Sequence, residues 1–342
     1  MAETGAPEFD PARVDAFLRG AIPGLAGAMR LERISGGQSN PTFFVSYDSR
    51  QLVLRKQPPG EILPSAHAVD REARIQQALA STAVPVPPIL LFHAERDVVG
   101  TPFYVMERVA GRVFQTSDMP GAARADRRPM FLSAAATLAA MHDVDWRAVG
   151  LEGYGKPGDY FRRQITRWVR QWEAAKFRDI PDLSRLAQWL DANLPPDDGA
   201  ATICHGDFRI GNLLFHPAEP RVAAVLDWEL STIGHPLADL AYAALFWRSR
   251  PEEYGGLLGL DLDALGIPAE QEFIAHYYAH RRTPAPPLLP FHIAFAQFRF
   301  AVILEGIAGR ARAGTANSAN AKEVGDLSLA YARHGIATID AA

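Results

Sequence analysis

The stretch from Ile203 to Glu229, ICHGDFRIGNLLFHPAEPRVAAVLDWE, constrains the fold of this chain more than any other segment. Val222 to Leu226 is a short apolar run of the kind that forms a buried strand. Leu213 to Phe215 is a second apolar run, and the turn residues between the two runs include two prolines. This pattern predicts a β-hairpin in the middle of the stretch.

Three polar residues flank this hairpin. Asp207 and Asn212 lie on the loop that enters its first strand, and Asp227 follows its second strand. Magnesium prefers one or two oxygen ligands from the protein and takes its other ligands from water and substrate phosphates. The amide oxygen of Asn212 and the carboxylate of Asp227 meet that need. A carboxylate at Asp207, kept off the metal, can orient an attacking hydroxyl and accept its proton. The stretch therefore predicts a magnesium and phosphate site.

Length and composition describe an ordinary globular protein. The chain has 342 residues, enough for two lobes with separate cores, since a domain commonly holds roughly 100 to 200 residues. Apolar residues make up 48% of the chain and charged residues 22%, which is typical of soluble proteins. The formal charge of −4 and a pI near 6.2 give no reason to expect a nucleic-acid partner.

The sequence carries no pattern typical of secretion or membrane insertion. The first twenty residues contain acidic residues and lack the apolar run of a signal peptide. The apolar segment from Phe291 to Ala308 is interrupted by Gln297, Arg299 and Glu305. A single cysteine cannot form an internal disulfide, which is compatible with a reducing compartment. We therefore expect a cytoplasmic protein without a membrane partner.

The N-terminal part of the chain divides into a helical extension, residues 1 to 30, and a β-rich lobe, residues 31 to 110. In this lobe, Leu31 to Tyr47 has the pattern strand, glycine turn, strand, and glycines allow the backbone to come close to an anionic ligand. The predicted phosphate-binding loop comprises Gly36, Gly37, Gln38, Ser39 and Asn40. An ordinary hairpin turn is the alternative, since the loop lacks the G-x-G-x-x-G pattern of protein kinases.

A strand predicted from Gln51 to Lys56 ends in two cations. In kinases a cation on this strand contacts the phosphates of the nucleotide and pairs with a glutamate on the next helix. Alternation puts Arg55 and Lys56 on opposite faces of the sheet, so only one of them can point inward. Glu72, on a helix predicted from Ser65 to Ser81, is the candidate partner of that cation. A solvated helix charge is the alternative for Glu72.

Two further strands, Ile89 to His93 and Phe103 to Val109, lead to the hinge expected at Ala110-Gly111, where the composition changes from β-rich to helical. Residues 111 to 342 are predicted to form a largely helical lobe around the central stretch. Its predicted helices are Met130 to Asp143, Tyr160 to Ala175, Leu183 to Leu194, Glu270 to Arg282, Leu289 to Arg312 and Ala319 to Ala337.

Other chemistries match the same residues less well. Cys204 and His205 are neighbours on a strand, so their side chains point to opposite faces and form a poor nucleophile and base pair. The other alternative is a zinc hydrolase site built from His205, Asp207, His216 and His235. That site leaves the preceding β-rich lobe without a role.

The polar residues of the central stretch and of the segment after it occur in a specific order. They are His205-Gly206-Asp207, Asn212, Leu226-Asp227-Trp228-Glu229, Gly234-His235-Pro236 and Asp239-Leu240-Ala241. In this combination the chain resembles the aminoglycoside phosphotransferase family from about residue 34 to about residue 312. The resemblance implies an α+β, two-lobed protein-kinase-like fold. Its N-lobe would be a small antiparallel β-sheet with one main helix, and its C-lobe would be largely helical and carry the catalytic loop and the acceptor site.

Members of that family are small-molecule kinases, so the resemblance implies ATP and Mg²⁺, with GTP as an alternative nucleotide. The residues it implies for catalysis are Asp207, Asn212 and Asp227, of which Asn212 and Asp227 are the magnesium ligands. It also implies that Arg55 or Lys56, together with Glu72, fixes the phosphates. The backbone from Glu107 to Val109 would recognise the adenine edge, with Met106 behind it, and a plain core role is the alternative for Met106.

The segments VLRKQPPG, DREARIQQAL and VILEGIAGRARAG resemble one branch of this family, the kinase-like domains fused to acyl-CoA dehydrogenases. That resemblance implies a hydroxylated acyl-CoA or a hydroxy acid as the acceptor, and arginines of the helical half suit its anionic groups. His292, Arg299 and Glu305 are candidates to face the acceptor. An aminoglycoside or macrolide phosphotransferase, or a nucleotide-binding regulator or scaffold without transfer activity, are the alternatives. The pattern does not indicate an oligomeric state.

Overall fold

The computed structural model describes residues 9–34, 40–60, 68–314 and 320–342. The chain divides into two compact units. The first comprises residues 1–111 and 223–229, and the second comprises residues 112–222 and 230–342. The short segment 223–229, which contains Asp227, therefore belongs to the first unit, whereas Asp207 and Asn212 belong to the second.

Among its described residues, the first unit contains one antiparallel sheet of five strands in the order β1-β2-β3-β5-β4. Its elements are α1 (Pro11–Ala21), β1 (Arg30–Arg33), β2 (Thr42–Ser46), β3 (Gln51–Lys56), α2 (Val69–Leu79), β4 (Ile89–His93) and β5 (Phe103–Glu107). The strand predicted to reach Val109 ends at Glu107. The helix predicted from Ser65 is described only from Val69 onward, since residues 61–67 lie outside the described ranges.

Alternation along the strands packs the two helices of this unit on opposite faces of the sheet. Leu54 of β3 is buried in a cluster that includes Val14 and Leu18 of α1. Tyr104 of β5 instead packs with Val69 of α2. Because successive side chains of a strand point to opposite faces, this arrangement fixes which residues of β3 face α2.

The second unit is mostly helical. The remaining elements of the chain are α3 (Arg124–His142), α4 (Tyr160–Ala175), α5 (Pro181–Ala192), β6 (Thr202–Cys204), β7 (Leu213–Phe215), β8 (Val222–Val225), β9 (Thr232–Gly234), α6 (Pro236–Ala244), α7 (Leu262–Leu265), α8 (Glu270–His280), α9 (Pro290–Arg312), α10 (Ala321–Asp326) and α11 (Ser328–Asp340). The two strands of the predicted hairpin form as β7 and β8. The last predicted helix, by contrast, is two helices, α10 and α11.

A short antiparallel ladder positions the central stretch. β6 pairs with β9, and Cys204 lies opposite Thr232. The chain leaves β6 at His205 and enters the loop that carries Asp207, whereas it leaves β9 at His235 and enters α6. Since the strands are antiparallel, these two exits lie at opposite ends of the ladder.

The helix α9 is the centre of the second unit. It packs against α4, α5, α6, α10 and α11, and Phe295, Phe298 and Leu304 are among its buried apolar residues. Within the described ranges it is the one helix long and apolar enough to cross a membrane. However, 83% of the most apolar 18-residue segment of this helix is buried inside the protein, which is the environment of a core helix.

Polar residues inside α9 have partners within the protein. Arg178 donates to Glu305 through Nη2 at 2.6 Å from Oε2 and through Nε at 2.9 Å from Oε1. The Ser328 hydroxyl donates to the same carboxylate at 2.8 Å. A buried charge is tolerated when it is paired and hydrogen-bonded in this way. Glu305, a sequence candidate to face the acceptor, is therefore engaged in an internal ion pair.

His292, another of those candidates, lies near the start of α9. Its ring stacks on that of His235, with centroids 6.0 Å apart and planes inclined by 9°. Both rings line a cavity of about 350 Å³ that Asp198 also lines. Nδ1 of His292 accepts the N–H of Leu289 at 2.9 Å. Burial, reinforced by the neighbouring His235, lowers the pKa of His292 to about 4.

Truncation of Leu304 tests the assignment of α9 to the core. Leu304 is 0% exposed, so Leu304→Ala should lower the free energy of unfolding by about 2–5 kcal/mol through lost apolar burial and the cavity left behind. The matched control is Leu258→Ala in the same unit, because Leu258 is 40% exposed and its loss should change stability by less than about 0.5 kcal/mol. Urea denaturation measures both, and equal losses would contradict the assignment.

Acid should destabilise the fold through His292. Its folded pKa, about 4, lies below the ordinary value of 6.5, so its contribution to stability is complete above that value and is lost as the pH falls toward 4. The expected loss of unfolding free energy between pH 7 and pH 4 is about 3 kcal/mol from this group. His292→Gln cannot titrate and should show a shallower decline in urea denaturation. An identical pH dependence in both proteins would refute this expectation.

Candidate active site

The loop that carries Asp207 leaves β6 through a turn that requires glycine. Gly206 has a φ of +84°, and a Cβ at this position would lie 2.7 Å from the carbonyl oxygen of Leu230. A side chain here would be strained and would also meet fixed backbone. His205 is fully buried, and its Nδ1 accepts the N–H of Asp207 at 3.2 Å. The turn and this histidine together set the path of the loop.

One carboxylate on α6 holds the backbone of this loop. Asp239 is 1% exposed, and its oxygens accept the N–H groups of His205 at 2.5 Å and Gly206 at 2.9 Å. Nε2 of His142 lies 3.6 Å from Asp239. Burial opposes ionisation of Asp239, but the nearby histidines and the Gly206 N–H outweigh it and lower the pKa of the carboxyl group. Asp239 is therefore ionised and anchors the loop immediately before Asp207.

The side chain of Asp207 is held through both of its carboxylate oxygens. The Tyr242 hydroxyl donates to Oδ1 at 2.5 Å. Nδ2 of Asn212 donates to Oδ2 at 2.7 Å and to the Asp207 carbonyl at 2.8 Å. Asn212 is 6% exposed, and within the described ranges its Oδ1 accepts no hydrogen bond. The amide thus turns its nitrogen to Asp207 and leaves its oxygen for a cation, which fits a magnesium ligand.

Two arginines near Asp207 differ from the sequence interpretation. The sequence interpretation gave Arg209 no role, although this residue follows Asp207 by only two positions. Its Nε lies 3.6 Å from Asp207 Oδ1. Its guanidinium also lies 5.5 Å from the centre of the Tyr254 ring. Arg299, a candidate to face the acceptor, is 6% exposed and donates to the Gly206 carbonyl. Arg299 therefore supports the loop from inside the protein.

In the first unit, the register of β3 distinguishes the two cations at its end. Nε of Arg55 lies 2.8 Å from Glu72 Oε2. Lys56 points to the opposite face, where it is 2% exposed and lies 5.7 Å from the centre of the Phe9 ring. Burial opposes the charge of Arg55, but the surrounding carboxylates outweigh it and raise the pKa of the guanidinium. Arg55, and not Lys56, thus pairs with the helix glutamate as the kinase pattern requires.

Glu72 is 1% exposed, and both of its oxygens have further donors. Nδ2 of Asn40 donates to Oε1 at 2.6 Å, and the Tyr104 hydroxyl donates to Oε2 at 3.0 Å. The glutamate that orients Arg55 is therefore itself fixed by hydrogen bonds, and Asn40 acts on it directly. The other members of the predicted phosphate-binding loop lie outside the described residues: Gly36, Gly37, Gln38 and Ser39.

Asp227, directly after Leu226, adopts a left-handed backbone conformation with a φ of +64°. Such a conformation is uncommon outside glycine and often marks a functional site. Oδ1 of Asp227 accepts a hydrogen bond from Arg55 Nη2 at 2.9 Å, and its other oxygen accepts none from the residues that the structure describes. Glu229, which belongs to the sequence motif but received no role there, lies 3.8 Å from the same Nη2. The open oxygen on Asp227 suits a hard cation such as Mg²⁺.

Three backbone N–H groups at and just after the end of β5 were predicted to lie beside the adenine. The N–H of Glu107 donates to the Pro88 carbonyl at 2.9 Å and that of Arg108 donates to the Gln51 carbonyl at 3.0 Å. The N–H of Val109 has no partner in the described part of the chain. The Glu107 side chain forms an ion pair with Arg50. Of the predicted adenine-binding positions, Val109 therefore keeps a donor free for a ligand.

Met106, the remaining predicted nucleotide contact, is half-buried and packs beside α2 in a small apolar cluster with Tyr104. It lies directly opposite Val53 of β3 in the sheet. A half-buried methionine can serve as core and still form one wall of a ligand site, because its side chain is flexible.

The zinc alternative is wrong for the residues that the structure describes. There, the acidic, histidine and cysteine side chains close enough to share a metal ion are His142, Cys204 and Asp239. His216 and His235, which the zinc site would need, do not belong to this group. Both oxygens of Asp239 already accept loop N–H groups, and burial raises the pKa of the Cys204 thiol. This cluster therefore supports the loop and is a poor metal site.

Comparison with known sequences agrees with this geometry. The model of a family described as phosphotransferase enzyme family matches residues 30–265. Acyl-CoA dehydrogenase family member 11 of Gallus gallus is 43% identical over 336 residues, which are 96% of this chain and 43% of that protein. Acyl-CoA dehydrogenase family member 10 of Mus musculus is 42% identical over 90% of this chain and 29% of that protein. The chain therefore spans less than half of the length of these curated relatives.

Solved structures show the same fold. A crystal structure from Ralstonia eutropha JMP134, provisionally described as an aminoglycoside phosphotransferase, is 40% identical with a TM-score of 0.87, covering 97% of this chain and 99% of that chain. The predicted resemblance and the predicted α+β, kinase-like fold are thereby confirmed, with the antiparallel sheet in the first unit and the helices in the second. The chain belongs to the phosphotransferase enzyme family.

Proposed function

We propose that this chain transfers the γ-phosphoryl group of ATP to a hydroxyl group of a small molecule, with Mg²⁺ as the cofactor. One observation carries the proposal: Asn212 gives its amide nitrogen to Asp207 at 2.7 Å and keeps its oxygen for a cation. A base that orients a hydroxyl and a metal ligand are thus linked in one pair of side chains. The solved complex of the aminoglycoside phosphotransferase APH(4)-Ia with AMP-PNP and hygromycin B supports ATP as the donor.

The proposed reaction makes one bond and breaks one. The acceptor oxygen forms a bond to the γ-phosphorus while the bond from that phosphorus to the β–γ bridging oxygen breaks, giving a phosphate ester and ADP. Asp207 orients the acceptor hydroxyl and takes its proton. Arg209, 3.6 Å from Asp207, supplies positive charge for the transferred group. The protein contributes positioning and charge neutralisation.

Asn212 and Asp227 would hold Mg²⁺ through the amide and carboxylate oxygens that accept no hydrogen bond within the described ranges. When bound, the ion neutralises charge on the phosphates. Arg55 contacts those phosphates, and Glu72, 2.8 Å from its Nε, sets the direction of its guanidinium. Each role uses a group whose position the surrounding protein already fixes.

The adenine contact falls to the backbone of Val109, since the N–H groups of Glu107 and Arg108 are used inside the protein. Met106 forms the wall behind the ring. The loop residues assigned to the phosphates are Gly36, Gly37, Gln38 and Ser39. Asn40 takes part through its hydrogen bond to Glu72 at 2.6 Å.

We assign the acceptor to hydroxylated acyl-CoA thioesters or hydroxy acids. The relatives that this chain matches over most of its length are named acyl-CoA dehydrogenases, and acyl-CoA is the compound class in those names. Arg209 is a cation close to Asp207, with its Nε 3.6 Å from Oδ1. Its charge favours an anionic acceptor over a polycationic aminoglycoside.

Asp207→Asn tests the base. The variant keeps the size of the side chain but cannot accept the proton, so transfer should fall at least about 100-fold, while MgATP should still raise the melting temperature. ADP formation is measured with 4-hydroxyacyl-CoAs, hydroxy acids, an aminoglycoside, a macrolide and choline. Asp198→Asn, a half-exposed carboxylate of the same unit, is the matched control and should transfer at the wild-type rate.

The outcomes of this panel separate the alternatives. Unimpaired transfer by Asp207→Asn would refute the assignment of the base. A rise in melting temperature without transfer to any acceptor would support a regulator or scaffold, and turnover confined to an antibiotic would support a resistance enzyme. No response to MgATP at all would overturn the kinase proposal.

Arg55 and Lys56 form a matched pair for testing nucleotide binding. Arg55→Met removes the cation assigned to the phosphates, so the dissociation constant for the magnesium complex of AMP-PNP should rise at least about tenfold, as expected for a lost charge-assisted contact. Lys56 lies on the other face of β3, and Lys56→Met should leave this constant within about twofold. Isothermal titration calorimetry measures both, and the reverse order of effects would contradict the assignment.

A further inference from the structure

The helix α6 contacts the catalytic loop at two points. Asp239 and Tyr242 lie three residues apart on α6, and residues at this spacing share one face of a helix. Asp239 holds the loop backbone through His205 and Gly206. Tyr242 reaches the side chain of Asp207, the residue to which that backbone leads. One helical face therefore fixes both the path of the loop and the carboxylate that it presents.

The contact between Tyr242 and Asp207 is short and partly buried. The phenol oxygen lies 2.5 Å from Asp207 Oδ1, and Tyr242 is 3% exposed. Burial, followed by the negative charge of Asp207, raises the pKa of the Tyr242 hydroxyl well above its ordinary value. The phenol therefore keeps its proton and is a permanent donor to the carboxylate. A hydrogen bond to a charged acceptor is among the stronger kinds in proteins.

The ring of Tyr242 is itself fixed on several sides. Phe246 and Phe300 meet it edge to face, with centroids 6.2 Å and 5.7 Å away. The guanidinium of Arg299 lies 5.5 Å from the ring centre and donates to the Gly206 carbonyl. Arg299 thus links the ring to the same loop that carries Asp207. Because these contacts hold the ring, the Tyr242 hydroxyl donates to Asp207 Oδ1 from a fixed position.

We infer that Tyr242 is a positioning residue that sets the orientation of the Asp207 carboxylate for transfer. This inference rests on the proposed function. Tyr242 holds Oδ1 and Asn212 holds Oδ2 at 2.7 Å, so the carboxylate cannot rotate without losing a hydrogen bond. Each oxygen can accept a second hydrogen bond, which leaves room for the acceptor hydroxyl.

Arg209 explains why this restraint matters for transfer. Its Nε lies 3.6 Å from the same Oδ1 that Tyr242 holds. Without the phenol donor, the charge of Arg209 draws the carboxylate toward itself and away from the acceptor. Asp207 would then remain in place as a residue but would be misaligned as a base, and small misalignments of reacting groups reduce rates by about 100-fold.

Tyr242→Phe removes only the hydroxyl. We expect kcat to fall by about 10- to 100-fold, while KM for ATP stays within about twofold, because the contact acts on the base and not on nucleotide binding. Tyr331→Phe is the matched control. Tyr331 is a buried tyrosine of the same unit whose hydroxyl donates to the Glu253 carbonyl at 3.0 Å. The melting temperature of Tyr331→Phe should fall by about as much as that of Tyr242→Phe, while its kcat should stay at the wild-type value.

A double-mutant cycle shows whether the hydroxyl acts through Asp207. In an Asp207→Asn background the base is already lost, so adding Tyr242→Phe should change the residual rate by less than about twofold. Full additivity of the two losses would overturn the inference, as would a wild-type kcat in Tyr242→Phe or an equal loss in Tyr331→Phe. Absence of transfer by the wild-type protein would instead refute the proposed function, and the inference with it.

Discussion

A buried negative charge, Asp239, fixes the loop of the second unit that carries Asp207. Its two oxygens accept the N–H groups of His205 and Gly206, which are buried in a turn that only glycine can make. Removing the carboxylate would leave both donors unsatisfied in a buried environment, each at a cost of about 1–3 kcal/mol. The loop backbone therefore has one stable conformation, and this conformation sets the position of Asp207. Asn212 and Tyr242 then act on a side chain whose backbone is already fixed.

In the first unit, too, a charged side chain is held by groups of opposite charge, but here the central charge is positive. The partly buried cation, Arg55, is surrounded by the carboxylates of Glu72, Asp227 and Glu229. A buried ion pair contributes little net stability, because desolvation offsets the attraction, but it strongly penalises loss of one partner. The main effect of the ion pair between Arg55 and Glu72 is therefore to fix the direction of the Arg55 guanidinium. Three carboxylates around one guanidinium also form an acidic environment that suits a phosphate-bound magnesium ion.

Much of this arrangement follows from local sequence. Turn residues and apolar runs identified the β7 and β8 strands, and the spacing of Asp207, Asn212 and Asp227 is the sequence basis of the proposed phosphoryl chemistry. Arg55 and Lys56 remained undecided, since adjacent strand residues always face opposite ways and only the packing of α1 and α2 shows which face is which.

Other features depend on tertiary contacts that have no local signal. Arg299 and Glu305 lie in an apolar helix, and their direction is set by the Gly206 carbonyl and by Arg178, which are distant in sequence. Tyr242 sits among alanines and leucines on α6, so its sequence context resembles that of a core residue. Its spacing from Asp239 gains meaning only once Asp239 is known to hold the loop. The local pattern thus predicts which residues form the candidate site, while long-range packing sets the directions of Arg299, Glu305 and Tyr242.

In the proposed reaction, a γ-phosphoryl group passes from ATP to a hydroxyl that Asp207 orients. Phosphorus NMR of a reaction containing the protein, MgATP and a 4-hydroxyacyl-CoA follows that group directly. We expect a new phosphate monoester signal that grows in a one-to-one ratio with ADP. Release of the γ-phosphate only as inorganic phosphate, or an unchanged ATP spectrum beside an acceptor that binds, would rule out this reaction.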